Sequence, residues 1–141
     1  MTQYPLKVVT PERTVFQGDV TALYLRGSEG DMGVLARHMP LITAVVPCVV
    51  RIQFENLSEQ RFAVGGGFLE VGRQGTVLLA DTAETPEEID RRRAEAAQAR
   101  AQGRLTQPGP DVDVVRAKLA LGRAEARLNA TQDVLQGSGP R

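Results

Sequence analysis

The stretch Thr76-Val-Leu-Leu-Ala80-Asp-Thr-Ala-Glu84-Thr85-Pro86-Glu87-Glu88-Ile89-Asp90 holds the change of pattern that decides the fold. Up to Ala80 it is apolar and partly β-branched, as a strand should be. From Thr85 it carries the start signals of a helix. Thr85 suits the N-cap, Pro86 the first helical position, and Glu88 completes a capping box. Glu87, Glu88 and Asp90 put negative charge in the first turn, and Arg100 and Arg104 put positive charge near the last, which matches the helix dipole. Gly103 is the expected stop. A join near residue 85 therefore divides the chain into residues 1–84 and residues 85–141.

Composition divides at the same place. All six aromatics (Tyr4, Phe16, Tyr24, Phe54, Phe62, Phe68) and nine of the 14 glycines come before it. The remainder has no aromatic, ten alanines and ten basic residues. Residues 1–84 show short apolar runs broken about every 8–12 residues by Gly, Pro, Asp or Asn, the spacing of a sandwich or barrel. The expected strands are Pro5–Val9, Thr14–Phe16, Val20–Arg26, Asp31–Leu35, Leu41–Val45, Val49–Glu55, Arg61–Val64, Gly67–Val71 and Thr76–Ala80. Along Val49–Phe54, Val50, Ile52 and Phe54 share one face; along Val20–Leu25, Thr21, Leu23 and Leu25 oppose Val20, Ala22 and Tyr24. Asn56 to Glu59 reads as a hairpin loop. Gly65-Gly66-Gly67 predicts a bulge, a sharp bend or a close backbone approach.

After the first helix, Thr106-Gln-Pro-Gly-Pro110 cannot be helical, so the connection falls at 105–110. Asp111 is expected to cap a second helix to about Gln132, with Val114, Ala117, Leu121, Ala124 and Leu128 as its apolar stripe. Gly122 within it costs roughly 1 kcal/mol against Ala. The tail from Gln136 to Arg141 is expected to fray. The fold class expected is β + α: an N-terminal antiparallel β-sandwich followed by a C-terminal antiparallel two-helix hairpin. Alanine faces bury little area at roughly 25 cal/mol per Å², so the hairpin needs a surface to lie on, its own sandwich or a partner.

The whole chain has 141 residues and zero formal net charge. That zero is a cancellation between −2 over residues 1–84 and +2 over residues 85–141. The balance argues against a nucleic-acid partner. One His and one Cys cannot supply a His/Cys metal cluster. No apolar run approaches the ~18 residues of a membrane span, and the N-terminus lacks a signal-peptide core, which predicts a cytoplasmic protein. Catalytic chemistry is scarce. His38, the only histidine, has no nucleophile beside it in sequence, and Cys48 reads as a buried, inert thiol. Glu29 and Asp31 lie in what reads first as a turn. The three glycines lack the Lys-Ser/Thr and the strand–loop–helix setting of a phosphate loop. No catalytic or metal-binding residue is assigned. Arg93 and Arg100 share one helix face, as do Arg123 and Arg127. The four could converge on an anion, or form a solvated face paired with Glu95 and Glu125.

Taken in order, several segments resemble a known family. They are Val8-Val9-Thr10-Pro11-Glu12-Arg13, Phe16-Gln17-Gly18-Asp19-Val20, Gly27 to Thr43, Phe62 to Val71, Leu79 to Glu84, and Ile89-Asp90-x-x-Arg93-Ala94. The chain resembles the epsilon subunits of F-type ATP synthases (delta in mitochondrial nomenclature) from residue 4 to about 131. The resemblance implies a central-stalk subunit, not itself an enzyme, bound to the gamma subunit and the c-subunit ring. It implies a peripheral place on the cytoplasmic face of the bacterial plasma membrane, with membrane contact only through the complex. The segment Glu29–Leu41, including Asp31, His38 and Met39, would face the c ring and stalk base. The hairpin would meet a beta subunit when extended and inhibit ATP hydrolysis. Some members bind a regulatory ATP through a matching motif. That implies an ATP site here of Glu84, Ile89, Asp90, Arg93, Ala94, Arg100, Arg123 and Arg127, with no other cofactor. The alternatives are a non-catalytic β-sandwich adaptor of another complex and a small ATP-responsive enzyme; the latter lacks a P-loop and a general base near the arginines.

Overall fold

The computed structural model describes residues 2–136, with side chains described to residue 132. The rest of the expected frayed tail lies outside the described residues.

The β-rich part forms ten strands: β1 (Tyr4–Val9), β2 (Thr14–Val20), β3 (Ala22–Gly27), β4 (Gly30–Leu35), β5 (Leu41–Val45), β6 (Cys48–Gln53), β7 (Glu59–Val64), β8 (Gly67–Gly72), β9 (Gly75–Ala80) and β10 (Ala83–Glu84). Pairing runs β10-β7-β6-β3-β5-β8-β9-β1-β2, with β4 added on β3. The sheet is antiparallel except that β1 runs parallel to β9. It folds around one core in which Leu6, Val8, Val20, Leu23, Val50, Ile52, Phe62, Leu69 and Leu78 are buried. The alternation expected in β6 holds, since Val50 and Ile52 point inward. β3 departs from it. Ala22, Leu23 and Leu25 are all buried, because β3 has neighbours on both sides and Tyr24 is half covered.

Two turns show how local chemistry sets register. At the expected hairpin loop, the Asn56 Oδ1 accepts from the Ser58 N–H at 3.0 Å, and Leu57 takes a left-handed φ of 70°. The three glycines mark a close backbone crossing. Gly67 has φ of 149°, and a Cβ there would lie 2.0 Å from the Leu79 carbonyl oxygen. Only glycine lets strands β8 and β9 meet at that bend.

The helical part differs from expectation at its ends. Pro86–Glu88 is a single 3-10 turn, not the first turn of a long helix. Ile89 is extended (φ −81°, ψ 127°), because its side chain packs beside Ala63, Ala126, Ala130 and Val49. Helix α1 (Arg91–Thr106) then starts afresh, capped by Asp90, whose carboxylate accepts from the Arg93 N–H at 3.1 Å. Gly103 does not stop it. The helix runs on to Thr106 and closes with the Gln107 N–H donating to the Gly103 carbonyl. Helix α2 (Val114–Gln136) starts three residues after Asp111. Its cap is Asp113, which accepts from the Arg116 N–H at 3.1 Å, while a turn from Gly109 to Val112 takes up Asp111.

Helix α2 packs on β6 and β7 with one face and on α1 with the other. The expected stripe is partly right: Ala117 and Ala124 are buried, Leu121 and Leu128 half-buried, and Val114 exposed. A second face was not expected. Ala126 and Ala130 pack on Ala63 of the sandwich. Gly122 has a reason here: a Cβ would come within 3.3 Å of the Pro47 Cβ. No helix of the described residues is long and apolar enough to cross a membrane.

Candidate functional site

The junction between sandwich and hairpin is where charged groups gather. Strand β10 pairs with β7, setting Glu84 opposite Ala63. Thr85 follows as the turn's cap. Its N–H and its hydroxyl both donate to Glu88 Oε1, at 2.9 and 3.0 Å. The Arg13 guanidinium, from the β1–β2 turn, donates to both Glu88 oxygens at 2.9 and 2.8 Å. The Thr85 N–H bond, with Arg13 second, holds the Glu88 carboxyl below the usual carboxylate range. From α2, Arg127 Nε donates to Glu84 Oε1 at 2.5 Å, with both side chains 29% exposed.

These elements enclose a cavity of about 410 Å³ lined by Glu84, Glu88, Asp90, Arg93, Ala94, Ala96, Ala97, Arg100 and Arg127. Six of the eight residues expected at a nucleotide site line it: Glu84, Asp90, Arg93, Ala94, Arg100 and Arg127. The two others do not. Ile89 turns into the seam between α2 and the sandwich. Arg123 lies one turn from Arg127, with its Cδ against Gly65. The convergence is therefore of three arginines, not four. The ion pair that forms also differs from the solvated-face reading, since Arg127 meets Glu84 of the sandwich and not Glu95 or Glu125 of the hairpin. The reading of the sequence missed Glu88 as a wall of the cavity. Its capping-box position explains why: a residue recognised as a cap had already been given a role.

The volume lies within the range of about 300–1,000 Å³ usual for ligand sites. Arg93 and Arg100, on one face of α1, have exposed side chains with no acceptor among the described residues. Guanidinium groups so placed suit phosphate or carboxylate oxygens. What this arrangement offers chemically is anion binding through Arg93, Arg100 and Arg127. A larger groove, about 800 Å³, runs between α2 and strands β3, β4 and β6. Its cations are already engaged. Arg26 pairs with Asp31 at 2.7 Å, which holds the Asp31 carboxyl below its ordinary value, and Arg51 stacks over the Tyr24 ring. Cys48 borders this groove, and burial pushes its thiol up.

The second expected set is spread along the length of β4. Glu29 and Asp31 lie at the tip of the β3–β4 hairpin, while His38 and Met39 follow the other end of β4, roughly 17–20 Å away along a strand of this length. The segment from Glu29 to Leu41 is built around strand β4, as the expected strand Asp31–Leu35 anticipated, with a turn at each end. His38 is exposed, its Nδ1 2.8 Å from the Met39 carbonyl, and Leu41 is half-buried at the start of β5. Beside it lies an apolar patch that sequence reasoning missed. Register puts Phe68 of β8 between Ala44 of β5 and Leu79 of β9, with Ile42 one diagonal away. Ile42, Phe68 and Leu79 are 71%, 57% and 51% exposed. The signal was present in β8: if Leu69 and Val71 point inward, Phe68 must point outward.

Comparison with known proteins agrees with both parts of this architecture. The family model described as ATP synthase, Delta/Epsilon chain, beta-sandwich domain matches residues 3–86. The companion model, described as the long alpha-helix domain of the same chain, matches residues 87–132. The ATP synthase epsilon chain of Moorella thermoacetica is 45% identical over 130 residues, covering 92% of this chain and 97% of that one. The one from Brevibacillus brevis is 44% identical over 132 residues, covering 94% and 100%. Among solved structures, a chain of the Euglena gracilis mitochondrial ATP synthase (OSCP/F1/c-ring) matches with a TM-score of 0.79 at 26% identity, covering 93% of this chain and 82% of that one. A chain of the Tetrahymena thermophila central stalk and c ring has a TM-score of 0.60 at 15% identity, a likeness of fold. With both domains matched in order over nearly its whole length, the chain belongs to the ATP synthase delta/epsilon family.

Proposed function

We propose that the chain is the non-catalytic central-stalk subunit of a bacterial rotary ATP synthase, bound to the gamma subunit and the c ring at the cytoplasmic face of the plasma membrane. The apolar patch of Ile42, Phe68 and Leu79 supports a protein contact through that face of the sheet. In this reading the hairpin inhibits ATP hydrolysis when it leaves the sandwich to meet a beta subunit. ATP bound in the junction cavity opposes that departure.

The observation that carries the regulatory part is the cavity itself. Its wall is split between the sandwich side (Glu84, Glu88) and the hairpin (Arg93, Ala94, Arg100, Arg127). A ligand that bridges Arg93 and Arg100 of α1 to Arg127 of α2, beside Glu84, holds the helices in the docked arrangement and so shifts the population toward docking. Arg93 and Arg100 take phosphate oxygens. Arg127 is shared between Glu84 and the ligand. Asp90 spends one oxygen on the Arg93 N–H, which leaves the other for a base amino group.

Calorimetry of the isolated chain with millimolar ATP tests this directly. Saturable heat is expected, and its absence refutes the ATP site. For inhibition, deleting residues 86–141 should leave synthesis by the reconstituted complex largely intact and raise its ATP hydrolysis. Unchanged hydrolysis refutes an inhibitory hairpin.

A further inference from the structure

We propose that Arg13 clamps the linker between sandwich and hairpin by holding Glu88, and so sets how often the hairpin leaves the sandwich in the absence of nucleotide. The proposal rests on the two-position reading above and names the contact that biases it. The motif Thr10-Pro11-Glu12-Arg13 has no other assigned work in this fold.

Arg13 is held by backbone before its side chain reaches anything. The Thr10 N–H donates to the Arg13 carbonyl at 2.9 Å. The Thr10 hydroxyl oxygen accepts from the N–H groups of Glu12 and Arg13, at 3.3 and 3.2 Å. Pro11 sits at the second position of this turn, where its fixed φ fits. From here the Arg13 Nη2 spans 75 residues of sequence to reach both Glu88 oxygens, and it approaches the Ala83 carbonyl at 3.5 Å. Glu88 also carries the two Thr85 bonds, so one carboxylate ties the β1–β2 turn, the end of β10 and the 3-10 turn together.

The place of this contact makes it a control point. Besides this, the linker has a two-residue strand, a three-residue turn and the Ile89 side chain packed in the seam. Among the described residues, the seam of α2 on the sandwich fully buries Ala126 and Ala130 against Ala63, with Val49 and Ile89 packed beside them. Of the two junction ion pairs among the described residues, Arg127–Glu84 joins the hairpin to the sandwich and lines the cavity, so a bound anion competes for it. Arg13–Glu88 holds the linker itself, and Arg13 lies outside the cavity wall. It acts whether or not an anion is present. It also neutralises a carboxylate that faces the cavity, so its loss opposes an anionic ligand as well.

The test uses the full chain, with Cys48→Ser, Gln60→Cys and Ala99→Cys carrying spin labels on β7 and α1. Pulsed EPR without nucleotide reads the docked and displaced populations. Arg13→Ala should raise the displaced-to-docked ratio about two- to fivefold at low salt, the range for a well-formed exposed pair, and the difference should fade as salt is raised. Glu88→Gln keeps an acceptor for Thr85 and should match it. The double variant should go no further, and Arg13→Lys should fall between. An unchanged ratio in Arg13→Ala, or single effects that multiply in the double variant, overturns the clamp. Saturating ATP should return Arg13→Ala to the docked state, with affinity lowered in proportion to the fall in the docked fraction and further by the cost of the bare Glu88 charge. ATP that moves none of the distributions refutes the nucleotide site while the nucleotide-free comparison still decides the clamp.

Discussion

The sandwich and the hairpin solve the same problem, burying enough surface to stay in place, with different materials. The sandwich core is made of large side chains: Phe62, Leu6, Leu23, Ile52, Leu69 and Leu78 are all essentially inaccessible. Among the described residues, the buried positions of the hairpin are all alanines: Ala94, Ala101, Ala117, Ala124, Ala126 and Ala130. A buried alanine removes about one methyl from water, worth roughly 0.8 kcal/mol, against about 1.5–3 kcal/mol for a buried Leu, Ile or Phe. The sandwich therefore carries its stability inside itself. The hairpin is held on the sandwich by a thin apolar seam and a few polar contacts at the linker. An element held that way can change position without unfolding its neighbour, which is what the proposed role demands.

The contrast can be broken most forcefully in the sandwich. Phe62→Ala should cost about 3–5 kcal/mol and lower the melting temperature of the whole chain. A melting temperature within a degree or two of the parent would mean the core is not where stability resides. Next comes the polar lining of the junction. Arg93→Ala or Arg127→Ala should weaken ATP binding tenfold or more, from loss of a charged hydrogen bond of about 1.5–3 kcal/mol. Arg123→Ala should change it little, because Arg123 does not line the cavity. Equal losses for all three, by calorimetry, would contradict the geometry.

The seam itself is probed by overfilling it. Ala130 is fully buried, so Ala130→Leu should destabilise docking by about 1–3 kcal/mol and leave the sandwich transition in place. Amide resonances of Ala63 should move while those of Leu69 do not. The smallest effect is with pH. Glu88 is held below the ordinary carboxylate range, so its contribution to docking is complete above that range and is lost as pH falls through the lowered value. Docking should weaken as pH falls below the ordinary carboxylate range, while the uncharged sandwich core persists. Ala63 resonances that stay unmoved down to the pH of global unfolding would remove Glu88 from the account.

Most of the strand positions were legible because β-branched runs and turn residues act locally. The Gly65–Gly67 bend was legible for the same reason. The helix ends were not. Thr85-Pro86-Glu87-Glu88 is a sound local start signal and does form a capped turn. The helix it should have opened is interrupted because burying Ile89 against Ala63 and Ala126 favours an extended residue there. Six of the site residues came together as expected, since α1 sets Arg93, Ala94 and Arg100 on one face by its period. Arg123 and Ile89 were misplaced, because the rotation of α2 against the sheet and the side chosen by an extended residue depend on packing.

By itself the sequence determined the division near residue 85, the class of each part, the scarcity of catalytic groups and the family. The first three follow from periodicity, capping chemistry and composition, which are properties of neighbouring residues; the family follows from the resemblance of its ordered motifs to known sequences. Only the tertiary structure decided that Glu88 is shared between a cap, a clamp and a cavity wall. It alone decided that Arg127 meets Glu84, that Gly122 makes room for Pro47, and that Phe68 and Leu79 form one patch. Each of these joins residues far apart along the chain. Their meeting is set by how alanine faces and strand registers pack in three dimensions, and no local rule contains that information.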